Sequence, residues 1–86
     1  MTAPIRILLA DDHPSLRAGL ASILNAQPDL TVVAEAGTGR ETLAQAAATA
    51  PDVLIVDLRM PDGDGIQTIK ALKAANPKVQ VLVLTT

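Results

Sequence analysis

Short apolar runs alternate with stretches of helical spacing along the whole chain, and that alternation leaves few folds open. The runs are Ile5 to Ala10, Leu30 to Ala36, Val53 to Val56 and Val79 to Leu84. Each is rich in aliphatic or β-branched residues and is bounded by turn signals, as expected of strands covered on both faces. Between them, Pro14 opens a helix in which Leu16, Leu20, Ile23 and Leu24 share one face and Arg17 points away. Arg40 to Ala50 is an Ala-rich helix whose only large apolar residue is Leu43. Thr38 and Glu41 before it have the spacing of a capping box. Ile66 to Ala75 is a third helix, with Ile66, Ile69 and Leu72 inward and Lys70 and Lys73 outward, stopped by Asn76-Pro77. The order β-α-β-α-β-α-β predicts an α/β fold: a doubly wound parallel sheet with right-handed crossovers and helices on both faces.

The ends of two strands carry the chemistry. The first run stops at Asp11 and Asp12, and the third stops at Asp57. In open parallel sheets, ligands bind beyond the carboxyl ends of the strands. If the first and third strands are neighbours, these acids converge. Three carboxylates so close require a counter-charge. Read as oxygen-only ligands with no His or Cys among them, the set favours Mg²⁺, a hard cation that also clamps phosphoryl oxygens. The plainer reading is that these are solvated loop residues. A pair after one strand and a single acid ending another favour a site. Asp57 can also act as a nucleophile toward phosphorus. Thr85 closes the fourth strand at the same sheet edge, where its hydroxyl either meets a phosphoryl oxygen or is a plain strand end.

Other signals are weaker. Gly37 and Gly39 lack the third glycine of a dinucleotide fingerprint, since position 42 is Thr42. Asp62 and Asp64 do not form a calcium loop, because its twelfth position is Lys73. His13 is the one histidine; it reads as a helix-entry residue near the cleft and, without a partner, not as a metal site.

Composition excludes several functions. The chain has 86 residues, 49% of them hydrophobic, no aromatic residue and no cysteine. It is long enough for one small domain. Its core must be Leu, Ile, Val and Ala, and it can neither stack bases nor form disulfides or thiolate metal sites. A net charge of −2 argues against direct nucleic-acid binding by this segment. Without a leader or a membrane-length apolar stretch, a cytoplasmic protein with no membrane partner is expected.

The segments ILLADDHP at 7–14, VDLRMPDGDGI at 56–66 and VLVLT at 81–85 resemble the receiver domain of two-component response regulators, in order and separation. DDHPSLRAGL at 11–20 is most similar to the NarL/LuxR-type subclass, whose receivers precede a helix-turn-helix DNA-binding domain. The resemblance implies a flavodoxin-like fold with strand order 2-1-3-4. It implies that Asp57 is the phospho-acceptor, charged by a sensor histidine kinase. It further implies that Asp12 binds Mg²⁺ directly, Asp11 mainly through water, and the backbone carbonyl of Arg59 as a third protein ligand. Thr85 aligns with the family's switch hydroxyl, and Met60, Pro61 and Gly65 match the loop that shapes the pocket.

The family's receiver runs about thirty to forty residues further than this chain. Residues 1–86 are therefore expected to be a receiver domain incomplete at its C-terminus, without the fifth strand and its lysine. DNA would be reached only through an output domain not present here. The apolar fourth strand is expected to be an exposed edge through which chains self-associate. Two other functions stay open. One is a Mg²⁺-dependent aspartyl phosphohydrolase, disfavoured by Arg59 where a second acid would serve. The other is a phosphorylation-independent interaction module.

Overall fold

The computed structural model describes residues 3–60 and 65–84. Seven elements follow in chain order: β1 Ile5–Ala10, α1 Pro14–Asn25, β2 Leu30–Ala36, α2 Gly39–Thr49, β3 Val53–Asp57, α3 Gly65–Ala75 and β4 Gln80–Leu84. All strand pairs are parallel, in the order β2-β1-β3-β4. The doubly wound sheet is therefore as expected, and β1 and β3 are indeed neighbours. β3 runs one residue further than the apolar pattern alone indicated, so that Asp57 belongs to the strand.

Strand pleating divides the core into two layers. Leu8, Ala10, Leu54 and Val56 project to one face and pack with Ala46 of α2 and Leu72 of α3. Ile7, Leu9 and Ile55 project to the other, against Ala21, Leu20 and Leu24 of α1. Both central strands are thus covered twice, which is why their sequences are apolar without alternation.

The helices sit on the sheet differently from the pattern of large apolar residues. Ile23 is 64% exposed and Leu16 is also exposed. At about 100° of rotation per residue, Arg17, Leu20, Ala21 and Leu24 share an arc of about 100°, and Leu16 and Ile23 fall outside it. Ala21, at the edge of that arc, is the buried residue of the helix, and its small side chain lets the helix approach the sheet closely. Arg17 therefore lies toward the protein rather than away from it. Ile66, expected inward, is likewise exposed, and α3 packs through Gly65, Thr68 and Leu72. In α2 the inward residues are Gly39, Thr42 and Ala46 rather than Leu43. Thr42 is tolerated there because its hydroxyl donates to the Thr38 carbonyl at 2.7 Å.

Local signals hold the helix ends. The Thr38 hydroxyl accepts the Glu41 N–H at 3.0 Å, and Glu41 Oε1 accepts the Gly37 N–H at 3.3 Å, so the side chain of the capping-box pair reaches the residue before the cap. α2 ends on Ala50 in the left-handed region, φ 46°. Arg6 Nη1 donates to its carbonyl at 2.9 Å.

β4 pairs only with β3 among the described strands. Its Leu82 is 54% exposed, and Val83 is also exposed. No helix among the described residues is long and apolar enough to cross a membrane.

Candidate acidic site

Register places the acids. Ala10 pairs with Val56 across the β1–β3 ladder, so the next residues, Asp11 and Asp57, leave the two strands at the same level. The Asp11 N–H still donates to the Ala36 carbonyl at 2.9 Å, extending the β1–β2 ladder by one rung. Each acid then turns its chain in the same way. Asp11 Oδ1 accepts the His13 N–H at 2.8 Å, and Asp57 Oδ1 accepts the Arg59 N–H at 2.9 Å. These are Asx turns, in which the carboxylate bonds the amide two residues on and bends the backbone off the strand. One oxygen of each acid is tied in this way.

Asp57 Oδ2 and Asp12 Oδ1 are buried and have no hydrogen-bond partner among the described residues. Asp11 and Asp57 are each 1% exposed as residues, whereas Asp12 is more open. A buried carboxylate oxygen without a partner is rare in native proteins, because desolvation is uncompensated. Such atoms point to an absent positive group. The donor set, oxygens from three acids at one sheet edge, fits a hard divalent cation.

His13 stands inside this cluster. Its Nδ1 lies 3.0 Å from Asp11 Oδ1, 2.9 Å from Asp12 Oδ1 and 4.0 Å from Asp57 Oδ2. The ring hydrogen-bonds Asp11, and a single N–H cannot also point at Asp12. The histidine that lacked a partner in the sequence is thus within reach of all three acids.

Arg17 also reaches the site, through backbone. Nη1 donates to the Asp11 carbonyl at 2.7 Å and Nε to Glu35 Oε1 at 3.2 Å, tying the β1–α1 turn to β2. Gly37 makes room for it: a Cβ there would lie 2.9 Å from Nη1. Gly65 closes the other side, where a Cβ would meet Leu58 Cα at 2.8 Å. This glycine lets α3 begin directly against the turn that follows Asp57.

Of the expected site residues, Asp11, Asp12 and Asp57 come together, and Arg59 meets Asp57 through its N–H. Thr85 and the loop segment from Pro61 to Asp64 lie outside the described residues. His13 read as a helix-entry residue near the cleft and Arg17 as pointing away, so neither was expected to touch the acids' backbone or side chains. The available signal was their position, directly after the acid pair and one helical turn further on.

Residues 7–86 match the response regulator receiver domain family. The chain is a response regulator receiver domain. It is 44% identical over 82 residues to the transcriptional regulatory protein YxjL of Bacillus subtilis, covering 95% of this chain and 38% of that protein. It is 42% identical over 81 residues to the DNA-binding transcriptional activator DevR/DosR of Mycobacterium tuberculosis, covering 94% and 37%. The receiver thus spans about two fifths of the length of these curated relatives. Among solved structures, the signal receiver domain of the NarL regulator from Mycobacterium tuberculosis superposes with a TM-score of 0.90 at 33% identity, over 98% of this chain and 68% of that one. A LuxR-family regulator from an Aurantimonas species gives a TM-score of 0.90 at 31% identity, over 96% and 59%. The receiver therefore has the flavodoxin-like fold and is similar to NarL/LuxR-type regulators.

Proposed function

We propose that this receiver accepts a phosphoryl group on Asp57 from a phosphohistidine of a sensor kinase, with Mg²⁺ at the acidic cluster. The observation that carries the reading is Asp57 Oδ2, a buried carboxylate oxygen without a partner among the described residues, beside two further acids. The Arg59 N–H holds Oδ1, which leaves Oδ2 as the attacking atom. As Oδ2 bonds to phosphorus, the donor's P–N bond breaks and its electron pair returns to the donor imidazole. The product is an acyl phosphate.

Asp11, Asp12 and Asp57, with the backbone carbonyl of Arg59, would hold the cation, Asp12 directly and Asp11 mainly through water. When bound, Mg²⁺ supplies positive charge to the transferred oxygens. Thr85 follows Leu84, which pairs with Asp57 in the β3–β4 ladder, and that spacing supports its hydroxyl as the group that senses the phosphoryl oxygen. The reading makes the chain a switch rather than a turnover enzyme, since Arg59 stands where a second acid would assist hydrolysis. Its output would be transcription through a DNA-binding domain of the kind named in the DevR/DosR relative, in the cytoplasm. The open β4 edge supports a further partner, a second copy of this chain.

The test is intact mass after incubation with Mg²⁺ and acetyl phosphate. A gain of one phosphoryl group is expected, and its loss in Asp57→Asn and in a metal-free control. A folded chain that gains nothing, or an Asp57→Asn variant that still gains the group, would overturn the reading.

A further inference from the structure

The two outer edges of the sheet are built differently. At the β2 edge, Asn25 Oδ1 accepts the Val32 N–H at 2.8 Å, and the ladder to β1 slips after Ile7, which leaves Val33 without a partner across it. Bulges and side-chain cover are ordinary means of closing an edge strand to other chains. β4 has neither: its ladder to β3 runs without a slip from Gln80 to Leu84, and the strand carries no charge and no proline. The Gln80 N–H donates to the Asp52 carbonyl at 3.0 Å, which fixes the direction of every residue after it. In an extended strand the N–H and C=O of one residue point to the same side, and the side alternates along the chain. Gln80, Leu82 and Leu84 therefore direct their backbone groups at β3. Val81 and Val83 direct theirs outward, where no described strand meets them. Val79 would be the next outward residue, but its N–H donates to the Asn76 carbonyl at 3.2 Å and its own carbonyl accepts Lys73 Nζ at 2.7 Å. The open stretch thus begins at Val81.

We infer that two copies of this chain join by antiparallel pairing of their β4 strands, in one register, with the two-fold axis at Leu82. The inference rests on the reading of a second copy as the partner of this edge and supplies its geometry. A two-fold axis normal to the sheet joins like edge to like edge and makes the pairing antiparallel. In this register Val81 stands opposite Val83 of the partner subunit, and the reverse holds across the axis. Each such pair exchanges both of its hydrogen bonds, so the outward groups of Val81 and Val83 are all satisfied from within β4. An axis at Val81 would set Val83 against Val79 of the partner subunit, whose groups are already bonded. An axis at Val83 would leave the Val81 groups dependent on residue 85 rather than on the strand itself. Side chains favour the same choice. Leu82 is the most exposed apolar residue of the strand, at 54%, and on the axis it meets its own counterpart in a non-hydrogen-bonded pair, where side chains come closest. The two four-stranded sheets become one continuous sheet.

The chain has no cysteine, so single cysteines report the register. Gln80→Cys, Val81→Cys, Leu82→Cys and Val83→Cys are compared for disulfide-linked dimer under mild oxidation. In the inferred register the two Cα atoms at position 82 lie about 4.5 Å apart, within disulfide reach. Those at 81 and at 83 lie about 9 Å apart, and those at 80 about 14 Å, all out of reach. Leu82→Cys is expected to link at least about tenfold faster than the other three. Amide exchange on the unaltered chain gives a second readout. Raising the concentration should slow exchange at Val81 and Val83 and leave Leu82, which already donates to β3, unchanged. Fastest linkage at position 81 or 83 overturns the register. A dimer whose Val81 and Val83 amides exchange as freely as at low concentration overturns the edge as the interface. Slow exchange there in a monomer means that the edge is covered from within the chain, and overturns the pairing as well. A monomer at every concentration removes the second copy altogether, while phosphoryl gain at Asp57, read separately by mass, stands or falls on its own.

Discussion

Arg17 and Gly37 form a pair that acts through the backbone of Asp11. The guanidinium donates to the Asp11 carbonyl at 2.7 Å, and a charged hydrogen bond of this kind contributes about 1.5–3 kcal/mol. Its ion pair with the more exposed Glu35 adds little. Arg17→Met is therefore expected to lower stability by about 1–2 kcal/mol in urea unfolding, with the β1–α1 turn loosened. Gly37→Ala should remove the same bond by pushing Nη1 aside, since the added Cβ would lie 2.9 Å from it and the long side chain yields before the backbone does. Two changes that remove one interaction are not additive. The double variant should be no less stable than the worse single one by more than a few tenths of a kcal/mol. Full additivity would mean that the two residues act separately. At Asp57 the division of labour is between two oxygens of one side chain. The Asx turn takes Oδ1 and burial strips Oδ2 of solvent, so Asp57→Asn should abolish phosphoryl gain while keeping the fold.

The helix ends carry the next level of control. α2 terminates on Ala50 with φ 46°, a conformation that is unfavourable by about 1–2 kcal/mol for an L-residue. Ala50→Gly should raise stability by about 0.5–1 kcal/mol in chemical denaturation, after the extra entropy of the unfolded glycine is set against the relieved strain. The sign is the diagnostic part, because Ala→Gly within a helix is destabilising. α3 behaves in the opposite sense. Its first residue, Gly65, faces Leu58 backbone, with a virtual Cβ 2.8 Å from Leu58 Cα and 3.0 Å from its carbonyl oxygen. Backbone cannot swing aside as Arg17 can. Gly65→Ala should cost about 1–3 kcal/mol and displace the turn after Asp57, lowering the rate of phosphoryl gain together with the melting temperature. A variant with unchanged stability would show that α3 can start further from Leu58.

For the molecule as a whole, asymmetry of the sheet matters most. β1 and β3 are covered on both faces and paired on both edges, while β4 leaves Leu82 and Val83 exposed beside an edge that no described strand pairs. Such an edge is a template for another strand. Light scattering across a concentration series should show the chain moving from monomer to dimer. Leu82→Lys should hold it monomeric, because a charged side chain on an edge strand opposes pairing. A wild-type chain that stays monomeric at high concentration would remove this edge as an interface.

The sequence by itself determined the element order, the parallel sheet and the place of Asp11, Asp12 and Asp57 at strand ends, while their convergence rested on the strand order that the family resemblance implied and the fold shows. These follow from run length, turn residues and the rule that sites lie at strand ends, all of which are local or topological. The capping box at Thr38 was legible for the same reason: its partners lie within four residues. Which face each helix turns inward was decided only by the tertiary structure. Large apolar residues suggested Leu16, Ile23 and Ile66, but close approach to the sheet selects small ones, and Ala21, Ala46 and Gly65 are buried instead. That rotation of α1 brings Arg17 to the Asp11 carbonyl, and the turn at Asp11 brings His13 to the acids. Both depend on distances set by packing among separate elements, to which spacing along one chain is blind.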